Sequence, residues 1–173
     1  MALDSSYSKL DARTCRTVER THVGRQVYGT TQLCRGRDGY FVLVNDEDDR
    51  QTVSFGRTAG EAQAEPAARQ RFPAFTDVGR TIEWRRDGGS PFATIQRWSV
   101  RSEELSTSLL VVTRLSPGRV CHVAYVDARA NPNANVLARR AADELAHGFA
   151  CEREAPVVYG EMGPVLRGLL GRH

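Results

Sequence analysis

The stretch from Thr107 to Cys151 limits the architecture of this chain most. Thr107–Leu115 is apolar and β-branched, Ser116-Pro117-Gly118 is turn chemistry, and Arg119–Asp127 is a second run of the same kind. Two strands joined by a short turn are predicted there. Asn131-Pro132-Asn133-Ala134-Asn135 then opens a helix predicted to run to about Phe149, with Asn131 or Asn133 as N-cap and Pro132 in the first turn. Leu137, Ala138, Ala141, Ala142, Leu145 and Phe149 fall on one stripe at helical spacing, and Arg139, Arg140, Asp143, Glu144 and His147 fall opposite. The alanines keep the apolar stripe flat, so such a helix can lie close on a sheet. Cys121 sits in the second strand and Cys151 just past the helix. A bond between them would pin the helix across the sheet.

Two further cysteines, Cys15 and Cys34, complete a set of four that permits three pairings. The local pairing is expected, Cys15 with Cys34 and Cys121 with Cys151, and closing each loop contributes roughly 3 kcal/mol. No pair has CxxC spacing and no histidines cluster nearby, so zinc is not expected. Paired structural cysteines point to an oxidising compartment, hence a periplasmic or secreted protein. Four reduced thiols in a cytosolic protein are the competing arrangement. Met1-Ala2-Leu3-Asp4 has neither a charged n-region nor an apolar h-region, so Met1 is expected to stand where a leader was removed. No apolar run approaches the length of a membrane span.

The rest of the chain repeats the strand pattern. Residues 1–13 are polar and read as a lead-in docked by Tyr7 and Leu10. Cys15–His22, Arg25–Cys34, Tyr40–Val44 and Gln51–Phe55 read as strands separated by Gly24, Gly36-Arg37-Asp38-Gly39 and Asn45–Asp49, with Val27, Thr31 and Leu33 as inward candidates. Thr58–Gln70 leans helical, opened by a capping box of Thr58 with Glu61 and interrupted by Pro66. Arg71–Gly79 is a connection with Phe72 and Phe75 packed in. Arg80–Arg86 and Phe92–Arg101 are strands around the turn Asp87-Gly88-Gly89-Ser90, and Val165–Leu170 adds a short helical turn after a broken tail. The fold class is therefore α+β: antiparallel meanders with a C-terminal helix packed on the sheet, as one domain over residues 1–173. Two ββββα halves, 14–70 and 80–150, are a possible internal repeat. At 173 residues the chain has enough length for one core.

The formal net charge of +3 is almost all arginine, Lys9 being the only lysine. So mild a bias follows from a GC-rich coding sequence as readily as from function, and no nucleic-acid partner is expected. Three clusters carry chemistry. Trp84, Arg86, Arg97 and Trp98 lie on neighbouring strands and could form a recognition surface for a protein, a sugar or a carboxylate, although Trp98 also suits the core. Asp46, Asp48 and Asp49 in the acidic turn could bind calcium, but the spacing is not that of an EF-hand and Arg50 stands beside them. Asp127, Arg129, Asn131, Asn133 and Asn135 surround a helix start, where capping competes with anion binding. There is no GxSxG, HExxH or P-loop, and His122 points away from Cys121 on its strand, so no catalytic residue is assigned.

Several stretches carry a resemblance: Tyr7-Ser8-Lys9-Leu10-Asp11 with Cys15, Cys34 through Gly39-Tyr40, and Asp49-Arg50 with Val53-Ser54-Phe55-Gly56. Thr81-Ile82-Glu83-Trp84-Arg85, Pro91–Ile95 with Arg97-Trp98, and Cys121–Asp127 through Cys151 extend it. Together they resemble a type of small secreted or periplasmic protein of alphaproteobacteria with no known activity. The resemblance implies a leader-bearing, envelope-located protein and nothing about ligand or catalysis. The expectation is a non-enzymatic periplasmic or secreted binding module, without cofactor, whose partner is a protein or envelope component; its oligomeric state stays open. The alternative is an envelope hydrolase whose discontinuous polar site draws on His122, Asp127 and Glu83.

Overall fold

A computed structural model describes residues 2–171; Met1, expected to mark a removed leader, lies outside them. Ten strands and three short helices follow one another as β1 (Leu3–Lys9), β2 (Cys15–Val23), β3 (Gln26–Arg35), β4 (Phe41–Glu47), β5 (Arg50–Gly56), α1 (Ala59–Ala64), β6 (Phe75–Asp87), β7 (Ser90–Ser102), β8 (Leu105–Arg114), β9 (Cys121–Asp127), α2 (Ala134–Leu145), β10 (Val157–Val158) and α3 (Pro164–Leu170). A 3₁₀ turn, Pro66–Arg69, follows α1. The strands make two sheets, one in the order β2-β3-β4-β5 and one in the order β1-β6-β7-β8-β9-β10. All pairings are antiparallel except that of the two-residue β10 with β9.

The sheets pack face to face. Val42, Val44, Val53 and Phe55 of the smaller sheet share a buried cluster with Ile82, Trp84, Trp98, Val100, Leu109 and Val111 of the larger one. Phe55 meets Trp84 edge-on at 5.5 Å between ring centroids, and Phe72 meets Trp98 in the same way at 5.7 Å. Such pairs add about 0.5–1.5 kcal/mol each beyond the area they bury. Each outer face carries one helix. The α2 stripe, Leu137, Ala138, Ala141 and Ala142, packs with Ala93, Ile95, Leu110, Val112, Val123 and Val126. Ala62 of α1 packs on Leu33 and Leu43. β2 to β5 precede α1 and build the smaller sheet that it covers; β6 to β9 precede α2 and form the middle of the larger sheet, which β1 and β10 extend.

Both expected disulfides form. Cys15 and Cys34 occupy opposing positions on β2 and β3, and Cys121 of β9 bonds Cys151 beyond α2. No helix among the described residues is long and apolar enough to cross a membrane.

Several local expectations change. The polar lead-in is a strand: Leu3–Lys9 pairs with β6, and the main-chain ladder forms without an apolar stripe because an edge strand needs only one partner. Tyr7 is exposed; Leu10 packs on the core as expected. α1 stops at Ala64, because Pro66 has no N–H to continue the ladder, and only the 3₁₀ turn follows. α2 ends at Leu145, short of Phe149. Val27 is exposed on the projecting β2–β3 hairpin. Thr31 and Leu33 face outward, Leu33 beneath α1. Phe75 belongs to β6 and is partly exposed, with the Arg50 guanidinium 4.9 Å over its ring.

Candidate functional site

The tryptophan-arginine surface does not exist as one surface. Trp84 and Trp98 are essentially inaccessible, both held between the sheets, because large aromatic rings are the best filling for a sandwich interior. Trp84 donates its indole N–H to Ser8 Oγ at 2.8 Å. Arg97 is exposed, donates to Ser108 Oγ at 3.0 Å, and alternates with Trp98 onto the opposite face of the sheet. Arg86 is half-buried near the β6–β7 turn, with its Nε 3.7 Å from Asp4 Oδ1. Two core residues and two arginines at separate places offer a partner nothing in common.

The acidic turn does not form a cation cradle. Asp48 turns its carboxylate to Arg50 at 3.2 Å, and Asp46 turns its own to the Gln51 amide at 3.3 Å. Among the described residues no three His, Cys, Asp or Glu side chains converge. Burial holds the Asp46 carboxyl above the usual range; the Gln51 hydrogen bond opposes this, and the charge of Asp49 adds to it.

His122, Asp127 and Glu83 do not meet. Glu83 faces α2, where Arg139 Nε donates to it at 2.8 Å and Ser5 Oγ at 2.6 Å. Arg85 binds Asp143 of α2 with two parallel bonds of 2.8 Å. This pair of ionic ties anchors α2 to β6. His122 lies in the other core layer, edge-on to Trp98, with Nδ1 2.8 Å from the Tyr125 hydroxyl. Burial drives its pKa down to about 3, so the ring is neutral, and burial raises that of Tyr125. Asp127 accepts from Thr107 Oγ1 at 2.7 Å, from the Arg129 N–H and from the Gly163 N–H at 2.9 Å. Asn131 donates to Asp127 O and Glu161 O and accepts from the Glu161 N–H. The polar cluster at the α2 start is therefore occupied by the chain's own C-terminal tail. Asn133 is the N-cap residue but makes no side-chain cap bond.

A different place is open. On the outer face of the small sheet, residues stand in rows across all four strands. Arg16, Leu33, Leu43 and Ser54 form one row, whose two leucines pack beneath α1. The next row is Glu19, Thr31, Asn45 and Thr52, and the one after it is Thr21, Gly29, Glu47 and Arg50. Polarity changes where the helix stops. Because α1 is only six residues long and Pro66 breaks it, the helix leaves those two rows open, and only Thr52 at their β5 end is covered, by the 3₁₀ turn.

They form the floor of a groove of about 620 Å³, within the usual range for ligand sites, walled by Gln63, Ala68, Arg69 and Arg71. The floor is ordered. Thr31 Oγ1 donates to Asn45 Oδ1 at 2.8 Å, Asn45 Nδ2 to Gln63 Oε1 at 3.2 Å, and Thr52 Oγ1 to Ala68 O at 2.9 Å. Gly29 leaves a gap in the outermost row: a Cβ there would come within 2.7 Å of Asp46 O. Arg50 is held by Asp48, and Arg71 lies 3.8 Å from Glu47. Arg69 has no carboxylate within 4.0 Å among the described residues. Sequence reading missed this groove because its residues come from five separate segments. The available sign was the polarity of alternate positions on each strand, Glu19 and Thr21, Asn45 and Glu47, Arg50 and Thr52, with Thr31 two residues from Gly29.

No protein-family model matches this chain, and neither a curated protein nor a solved structure shows significant similarity to it.

Proposed function

We propose that the protein is an extracytoplasmic binding module that uses the groove on the outer face of the small sheet to hold a polar component of the cell envelope. The observation that supports this most is the pair of rows that α1 leaves open: an ordered floor of hydroxyl and amide groups in a groove of ligand size. Two disulfides and the absence of a membrane-spanning helix among the described residues agree with a location outside the reducing cytosol. A hydrolase drawing on His122, Asp127 and Glu83 has no support, since those groups lie in different layers and are bonded to structural partners.

The test is capture from an envelope extract by immobilised protein. Thr31→Leu fills the floor, and Arg69→Ala and Glu19→Ala trim exposed positions, so all three variants should fold. Capture of the same component should fall at least about tenfold for Thr31→Leu, a loss of roughly 1.4 kcal/mol. Arg97→Ala on the other sheet should leave it unchanged. Equal capture by wild type and all groove variants would remove the groove as the binding surface.

A further inference from the structure

We infer that the groove takes a short acidic saccharide, a hydroxyl-rich ligand that carries a carboxylate; this rests on the groove being the ligand surface. The floor decides against an extended peptide. Its central strands β3 and β4 are paired on both sides, so their main-chain N–H and C=O groups are consumed in the ladders and cannot add a strand. Ala68 is the only apolar residue in the lining, so peptide side chains of that kind find no pocket.

What the groove does offer is Thr21, Thr31 and Asn45 on its floor and Gln63 on its wall, small hydroxyls and planar amides that both donate and accept. Asn45 spends its Oδ1 and one N–H on its neighbours, which fixes the orientation of the amides. A ligand that is itself donor and acceptor at every position, as a sugar is, matches such a surface. Glu19 and Glu47 add acceptors for sugar hydroxyls and would repel a dense polyanion such as a nucleic acid. Arg69 is the opposite case: a guanidinium lining the wall with no carboxylate within 4.0 Å among the described residues, beside Arg71, whose partner Glu47 is held only at 3.8 Å. A fork of parallel N–H donors binds a carboxylate with two hydrogen bonds, and such bonds are about twice as strong as neutral ones. The three gaps between four strands span about 14 Å, which suits a few sugar rings lying across them.

The experiment is an amide NMR titration of the full chain with a hexuronic-acid trimer, with the neutral hexose trimer of the same linkage, and with oligo-glutamate. The uronate should shift the amides of Thr31, Asn45, Thr52 and Arg69, and bind about tenfold or more tighter than the neutral sugar. Arg69→Ala should bring the uronate down to the neutral sugar's affinity. Equal affinity for the two sugars, shifts confined to other surfaces, no shift at millimolar concentration, or tighter binding of oligo-glutamate would each overturn the assignment. The groove reading is judged separately: if envelope capture still depends on Thr31 while the uronate fails, only the ligand class is wrong.

Discussion

At the scale of single residues, His122 is the most consequential group outside the groove. It is buried between Trp98 and Tyr125, and its Nε2 and the Trp98 Nε1 have no hydrogen-bond partner among the described residues. Burial is the whole cause of its depressed pKa, about 3 against an ordinary 6.5. The unfolded chain therefore takes up a proton near pH 6.5 that the folded chain refuses until about pH 3. Stability is unaffected by this group above pH 6.5 and declines as pH falls through that window. The full effect is on the order of 4–5 kcal/mol. Urea midpoints measured between pH 7 and pH 3.5 should fall for the wild type and fall less steeply for His122→Gln. Parallel slopes for the two would show that the imidazole is not desolvated as described. His122 was legible as a mid-strand residue facing away from Cys121, but nothing in its neighbours along the chain told whether that face met water or another sheet.

At the scale of elements, the C-terminal tail depends on two side chains. α3 puts Val165, Leu166 and Leu169 into the cluster between the sheets. Its approach is fixed by Asp127, which takes the Gly163 N–H, and by Asn131, which takes Glu161 on both main-chain atoms. Close contact makes the fit demanding: a Cβ on Gly160 would lie 2.4 Å from Asn131 Oδ1. Asn131→Ala removes three hydrogen bonds from a buried position and should cost roughly 2–4 kcal/mol. Amide exchange should show protection lost first over residues 157–170 while β6–β8 stay protected; uniform loss would mean that the tail is not a separate cooperative unit. The α2 helix was readable from its stripe and its existence needed no tertiary information. Of its two cap candidates Asn133 holds the N-cap position without a side-chain bond, while Asn131 binds the chain that returns thirty residues further on.

At the scale of the whole molecule, two sheets and two outer helices make four layers, and each disulfide closes a loop from a core strand. Cys15–Cys34 closes the edge strand β2 onto β3, and Cys121–Cys151 closes β9 onto the segment after α2. Loops of these lengths predict similar stabilisation, roughly 3–4 kcal/mol each. Replacing either pair by serines should lower the urea midpoint by a comparable amount, and reduction of the wild type should lower it further than either. A wild type indifferent to reductant under conditions that break both bonds would contradict this.

Local pattern determined the strands β2 to β9, the α2 stripe, the Pro66 break and the cysteine pairing, because each depends on alternation, helical spacing or short separation along the chain. Only the tertiary structure decided which face of each strand was wet. Over residues 92–96 both faces of β7 are covered, Ala93 and Ile95 by α2 and Gln96 on the other side, and no alternation could show it; beyond them Arg97 and Ser99 are exposed while Trp98 and Val100 stay buried. The same holds for the groove. Thr31, Asn45 and Thr52 are polar residues on three strands, and they become one row only through a register that the sheet sets as a whole.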